Sequence, residues 1–372
     1  MNIPTTKPYI PPEDQEEIIR GMREILSSGR FMKGKFLSAF EEEFARFVGV
    51  KYAIAVSSGT AALEIVYRYY DVAGKEVVTP TNTFIATSNA VLFAGGRPVL
   101  SEIDPETLCL DIRDVEKRIT ERTRGVVLVH VAGFITPAIE EISALCRERN
   151  LFFMEDAAHA HGSSLNNVKA GAWGDAAIFS CLATKVMTTG GVGGIITTNN
   201  EELDRFARSL RFHGEDKTRG IQDRLGNNWM LSEPQALIGL VQTRRLPEIV
   251  EKRMAIAQTY DAAFDHHNFL KPFSLPNGAT CGYYKYPLLV DTAARRKELG
   301  DYLEKAGVAT GSSYWPTVHL QPVYKKEFGY KEGDFPIAED ILSRVITLPM
   351  YVGMTDGEVV YVIDAIKKFT VL

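Results

Sequence analysis

Cysteine is scarce in this chain, and nothing in its spacing suits a metal or a set of cross-links. The four thiols, Cys109, Cys146, Cys181 and Cys281, form no CxxC or CxxH pair, so neither a zinc site nor a disulfide framework is expected and all four are read as buried thiols. Long hydrophobic runs are missing as well. No apolar stretch approaches the ~18 residues of a membrane span, and the opening MNIPTTKPYIPPEDQEE has no basic segment followed by an apolar one, which leads to the expectation of a cytoplasmic protein without a membrane partner. Positive charge is nowhere concentrated. With a formal net charge of -5, a pI near 5.9 and no dense Lys/Arg run, nucleic acid is not an expected partner and small molecules are. Two nucleotide fingerprints, GxGxxG after the first strand and GxxxxGKS, are absent too, which removes the usual support for dinucleotide or P-loop binding.

What is present is the make-up of an ordinary globular protein, 45% hydrophobic and 24% charged over 372 residues, enough to bury two cores without staples. From about Val50 to Thr198 short apolar runs alternate with amphipathic stretches: YAIAVSS, GTAALEIVYRYY, EVVTPT, FIATSNAVLF, RPVLSEID. Such alternation predicts βαβ units feeding a mostly parallel sheet covered on both faces. Further strands are expected at Gly125 to Val131, Leu151 to Asp156, Ala176 to Ser180 and Gly193 to Thr198, with a helix over Pro137 to Asn150 that places proline in its first turn. Beyond Glu201 the pattern turns helical. Ser232 to Phe264 reads as a long helical segment interrupted or kinked near Pro247, and a domain boundary is placed there, dividing residues 1–245 from 246–372. The second part carries a strand at YYKYPLLV, a helix at AARRKELGDYLEKAG and a final helix at DGEVVYVIDAIKKF, which fits a smaller α/β domain.

In open parallel sheets ligands gather at the carboxyl ends of strands, so polar residues that end apolar strands carry the most information. One such end is AVSSGT, where Ser57, Ser58, Gly59 and Thr60 lead into a helix; free N–H groups and hydroxyls there either cradle a phosphate or simply cap the helix. Another is FFMEDAAHAHG, where Glu155 and Asp156 end a buried strand ahead of His159 and His161. A desolvated carboxylate needs a cationic or hydrogen-bonding partner, which is either an Arg or Lys elsewhere or the protonated ring nitrogen of a cofactor. The two histidines lack further ligands at metal-binding spacing, and no metal is expected. A third end is AAIFS, closing at Ser180, with Lys185 five residues later and a glycine run beyond it. An amine in a partly desolvated pocket has a lowered pKa and acts as a nucleophile toward an aldehyde, then as a base.

Taken in order, SSGTAAL, PTNTFIATSNAV, DPETLCLD, EDAAHAHG, GDAAIFS, ATK, RSLRFHG, LGNNW and LPMYVGMTD span nearly the whole chain. This set resembles the DegT/DnrJ/EryC1/StrS family of sugar aminotransferases. The resemblance implies an aspartate-aminotransferase-like, fold-type-I architecture, pyridoxal 5'-phosphate as cofactor, and a homodimer with shared active sites. It implies that Lys185 forms the Schiff base and moves protons, that Asp156 pairs with the pyridine nitrogen, and that His159, where the family often has Gln, lies near the phenolic oxygen. Phe84 stands at the position of the stacking aromatic. Gly59, Thr60 and Ser180 match phosphate-binding residues, with Ser58 beside them, and Asn228 matches an Asn that reaches the phosphate from the neighbouring subunit. Tyr314 and His319 fall in a segment similar to one bordering the family's substrate pocket. An amino-acid donor, glutamate by resemblance, and a keto-sugar acceptor follow. Departures cluster around the lysine: Cys181, Leu182 and Ala183 replace an aromatic pair and a proline, the run Gly190 to Gly194 (GGVGG) lacks the usual carboxylate, and Met230 stands where NxRM-type members have Arg. Rival readings are a cofactor-binding regulatory protein without turnover and a family dehydratase, which would have His in place of Lys185.

Overall fold

The computed structural model describes residues 1–216 and 218–369. Its centre is a seven-stranded sheet built from β1 (Tyr52–Val56), β2 (Glu76–Pro80), β3 (Arg97–Ser101), β4 (Thr123–Val129), β5 (Phe152–Asp156), β6 (Ala176–Ser180) and β7 (Gly194–Thr198). Their order is β1-β7-β6-β5-β4-β2-β3. All neighbours pair in parallel except β7, which runs antiparallel to both β1 and β6. The reason the strands read as unbroken apolar runs is visible in the packing. Ala53, Ala55, Phe153, Ala177 and Phe179 enter one buried cluster, while the alternating Ile54, Val56, Phe152, Met154, Ala176 and Ile178 enter another on the opposite face. With helices over both faces, most strand positions are buried, so alternation disappears from the sequence.

The helix Gly59–Tyr69 follows β1 directly, its start fixed by Ser58, whose Oγ accepts from the Ala61 N–H at 3.1 Å. A side-chain oxygen in this place satisfies one of the helix's open N–H groups. The expected helix after β4 is shorter than its pattern: it runs Ile139–Glu148, and Pro137 precedes it rather than sitting in its first turn. The expected interruption at Pro247 does not occur. One helix of 32 residues, Glu233–Phe264, continues through it. Ala236, Leu240, Leu246 and Ile249 enter the core on one face of the central sheet, where the helix packs on the helix Lys35–Val48, whereas Ala257, Tyr260 and Phe264 belong to a second core. That second core surrounds a three-stranded antiparallel sheet of β8 (Leu270–Pro272), β9 (Tyr286–Val290) and β10 (Val345–Leu348), with helices Ala293–Lys305, Pro336–Arg344 and Asp356–Phe369. Ile3, at the other end of the chain, is fully buried in this core and pairs with Val308. All four cysteines are free and buried, and burial pushes each thiol up to about 12. Among the described residues, no helix is long and apolar enough to cross a membrane and no group of three or more His, Cys, Asp or Glu could hold a metal.

Candidate active site

Adjacent strand residues point to opposite faces, and β5 uses this to separate two carboxylates. Glu155 is fully buried and accepts hydrogen bonds from the backbone N–H groups of Gly171, Trp173 and Gly174 at 2.8, 2.8 and 2.9 Å, with the His130 ring at 2.8 Å. Its role is to hold the turn before β6. Asp156 faces the other way, on the side of the Gly59–Tyr69 helix. Its carboxylate takes a hydrogen bond from Thr87 Oγ1 at 2.7 Å and another from the Ala158 N–H at 3.2 Å. Because Thr87 spends its one proton on Asp156, the 2.7 Å contact between Thr83 and Thr87 has Thr83 as donor. Among the described residues no cation forms an ion pair with Asp156. Burial drives its pKa up, and the two hydrogen bonds and the charge of Lys185 oppose the rise.

Asp156 opens into a cavity of about 470 Å³ at the carboxyl ends of the strands, which also receives Ser58, Gly59, Thr60, Phe84, Thr87, His159, Ser180, Lys185 and Tyr314. Lys185 is carried on the loop between β6 and β7. That loop is tied to itself by Ala183 N–H to Gly191 O at 2.8 Å and Lys185 N–H to Leu182 O at 2.9 Å. The half-buried amine has no hydrogen-bond or ion-pair partner among the described residues and lies 4.5 Å from the centre of the Tyr284 ring. Burial lowers its pKa to about 8, with Asp156 opposing and Lys285 assisting the drop. The phosphate-like cradle is equally specific in shape. A Cβ on Gly194 would sit 2.4 Å from the Ser58 carbonyl carbon and 2.6 Å from the Gly59 nitrogen, and one on Gly59 would lie 3.1 Å from Ser180 Cβ. Only glycine lets β7 approach the helix start this closely, where open N–H groups and the dipole favour an anion.

The cavity's aromatic groups divide in two. Phe84 caps the helix Ile85–Phe93 and is 62% exposed, an open ring face at the cavity. On the other side His159 lies against Tyr284 at 4.0 Å between ring centres and is stacked on Tyr314 at 5.5 Å. The His159 Nδ1 accepts from the Ala132 N–H at 3.2 Å and its Nε2 contacts Tyr314 Oη at 2.8 Å. A ring whose Nδ1 accepts carries its single proton on Nε2, so His159 is the donor to Tyr314. Burial, then the charges of Lys185 and Lys285, pushes the His159 pKa well down and keeps the ring neutral.

Two sequence candidates lie outside this cavity. Asn228 is exposed, paired through its backbone with Phe212. His319 is completely buried and does not border the cavity: its Nδ1 meets Thr81 and Thr317 hydroxyls at 2.7 and 2.9 Å, and its Nε2 meets Glu339 at 2.9 Å. Both ring nitrogens are occupied in joining the end of β2 to the second core, so the expectation that His319 borders the substrate is corrected to one of packing. Among the lining residues that sequence reasoning did not single out for the site are Thr87, Tyr284 and Lys285, while Leu182 and Val192, noted only within departures, line it too. Thr87 had a signal, a hydroxyl in the first turn of the helix within the quoted PTNTFIATSNAV segment. Tyr284 and Lys285 precede a strand and look like its start.

An unpaired amine, a buried unpaired carboxylate and an anion cradle at the strand ends of an α/β sheet define a fold-type-I transferase. Comparison with known proteins carries this further. Residues 12–367 match the DegT/DnrJ/EryC1/StrS aminotransferase family. The chain is 36% identical over 377 residues to the spore coat polysaccharide biosynthesis protein SpsC of Bacillus subtilis (strain 168), covering 97% of this chain and 96% of that one. It is 32% identical over 370 residues to the dTDP-4-dehydro-2,3,6-trideoxy-D-glucose 4-aminotransferase of Saccharopolyspora spinosa, with 95% and 94% covered. Among solved structures, Helicobacter pylori PseC, an aminotransferase involved in the biosynthesis of pseudoaminic acid, superposes with a TM-score of 0.92 at 30% identity and 99% coverage of each chain. The chain belongs to the DegT/DnrJ/EryC1/StrS aminotransferase family, and it is an aminotransferase.

Proposed function

We propose that the protein moves an amino group from an amino acid, L-glutamate, to a nucleotide-linked keto sugar in two alternating half-reactions, with pyridoxal 5'-phosphate held on Lys185. The observation that carries this reading is the meeting of Lys185 and Asp156 in one cavity, each without a partner of opposite charge within ion-pair distance among the described residues. The residues fit this group: the Gly59 and Gly194 approach leaves room for a phosphate beside Ser58, Thr60 and Ser180, Phe84 offers a ring face, and Asp156 is a buried acceptor in want of a protonated nitrogen.

When bound, pyridoxal phosphate supplies an aldehyde carbon and a ring that takes up the electron pair left by a departing α-proton. The chain's own residues do the rest. Asp156, oriented by Thr87 and Ala158, would keep the ring nitrogen protonated. Lys185, with its pKa near 8, is neutral in an appreciable fraction of molecules at physiological pH, first as nucleophile and then as the base that moves the proton. His159 is held neutral, its Nδ1 engaged by Ala132 and its Nε2–H by Tyr314, and so adds no second charge to the cavity. A nucleotide-linked acceptor is supported by the name of the Saccharopolyspora relative. Asn228, exposed and outside its own cavity, is placed as a contribution to the partner's site in a homodimer, and residues 1–245 and 246–372 as a large and a small domain.

The test begins with added pyridoxal 5'-phosphate and borohydride reduction. Cofactor mass fixed on the peptide containing Lys185 is expected; mass on another lysine would refute the assignment. Glutamate should then change the absorbance of the loaded protein. No spectral change with any amino acid would replace enzymatic turnover with a regulatory, cofactor-binding role.

A further inference from the structure

The cavity holds one more charge than the reading above employs. Lys285 projects into it from the segment before β9, and its ammonium lies 5.7 Å from the centre of the Tyr284 ring and 5.9 Å from that of Tyr314. It donates to the Ser312 carbonyl at 2.7 Å. Among the described residues no carboxylate comes within ion-pair distance of it, and the cavity lining contains no arginine. An ammonium carries three donors, and one neutral carbonyl leaves most of its charge uncompensated. Desolvation of this kind is unfavourable unless an anion arrives; burial accordingly lowers the Lys285 pKa. The chain accepts further strain here. Tyr283 and Tyr314, with φ of 40° and 63°, hold left-handed backbone conformations on the two segments that bring Lys285 and Ser312 together, a conformation unfavourable for side chains of this size.

We propose that Lys285 is the residue that recognises the α-carboxylate of the amino-acid donor. This rests on the aminotransferase reading above. The chemistry selects the carboxylate over other anions in three ways. A donor amino acid always carries a carboxylate on the carbon that reacts, whereas a keto sugar carries none there. Lys285 and Lys185 line one cavity and both lie against the Tyr284 ring, 5.7 and 4.5 Å from its centre, and the charge of Lys285 reaches Lys185, adding to burial in lowering its pKa. A cofactor phosphate has its own cradle at Ser58, Gly59 and Ser180, built from backbone and hydroxyls, and the diphosphate of a nucleotide-linked acceptor is attached at a carbon other than the one that reacts. Lys285 thus acts as a substrate-binding residue that orients the donor carbon toward Lys185 and is silent toward an acceptor without a carboxylate.

The experiment uses loaded protein and the Lys285→Met and Lys285→Arg variants. In Lys285→Met the apparent dissociation constant for glutamate in the first half-reaction is expected to rise about tenfold or more, the scale of one lost charge-assisted hydrogen bond. Lys285→Arg restores most of it. Borohydride labelling at Lys185 and the KM for the keto sugar stay unchanged. Calorimetric binding of glutarate, a carboxylate with no amine, follows the same order without any turnover. An unchanged glutamate constant, a shift confined to the keto sugar, or loss of labelling in folded variants would each overturn the assignment. If wild-type protein reacts with no amino acid, the reading of function fails separately, and glutarate binding that is lost in Lys285→Met and kept in Lys285→Arg still decides the carboxylate site.

Discussion

Neighbouring carboxylates on β5 should behave as opposites when mutated. Glu155 has no exposure and four donors aimed at it: three backbone N–H groups and the His130 ring. Replacing it with alanine strands all four in a fully buried site. At ~1–3 kcal/mol for each buried group left unsatisfied, the loss is at least about 4 kcal/mol, a large part of the ~5–15 kcal/mol that holds a typical protein folded. Glu155→Gln keeps the shape and one oxygen but turns an NH2 toward a donor, and should lose roughly half as much. Asp156→Asn is different. Its partners sit on different oxygens: the amide oxygen can still accept from the Ala158 N–H while its NH2 donates to Thr87 Oγ1, whose hydroxyl can turn to accept, and the change removes a buried charge whose pKa burial already raises. Its folding stability should stay within about 1 kcal/mol of wild type or increase, while turnover falls by roughly 10²-fold or more through loss of the proton on the cofactor ring. Thermal and urea midpoints of cofactor-free protein, set beside single-turnover rates with glutamate, separate the two effects. An Asp156→Asn midpoint lower than that of Glu155→Ala would refute the division of roles.

The other predictions concern the lysine and the subunit contact. Cofactor-free protein should capture a simple aldehyde at Lys185 at a rate that rises with pH and levels off above about 8, because the neutral amine reacts and burial holds its pKa there; levelling only near ~10.4, as for a solvated lysine, would count against a desolvated amine. Since Asn228 lies outside the cavity of its own chain, mixing inactive Lys185→Ala protein with weakened Asn228→Ala protein should regenerate sites with both residues intact. Activity of the mixture equal to the average of its components, under conditions where subunits exchange, would mean that Asn228 serves no neighbouring site.

Much of the site was legible in the sequence because its chemistry sits where local rules place it. A polar residue ending a buried strand is conspicuous against four or five apolar neighbours, and Asp156, Ser180 and the Ser58-Gly59-Thr60 turn all follow this pattern. Lys185 follows β6 closely enough to share its end of the sheet. Errors arose where a local rule met a tertiary override. Pro247 lies in a helix long enough, and packed firmly enough at both ends, to run through it. His319 and Tyr314 are five residues apart in a segment of one character, yet one is sealed between Thr81, Thr317 and Glu339 and the other reaches His159.

By itself, then, the sequence determined the α/β class and the strands, because strand periodicity and turn residues are short-range properties, and through its family resemblance it singled out Lys185 and Asp156 as the candidate amine and carboxylate. It could also establish that Glu155 and Asp156 face opposite ways. Only the tertiary structure decided which of the two meets the cavity, since that depends on the face where the Gly59–Tyr69 helix packs. The same holds for Thr87, Tyr284 and Lys285: the strand order of the central sheet brings Thr87, in the helix after β2, to Asp156 on β5, whereas Tyr284 and Lys285, from the segment before β9, join the cavity only once the second core has closed against the sheet.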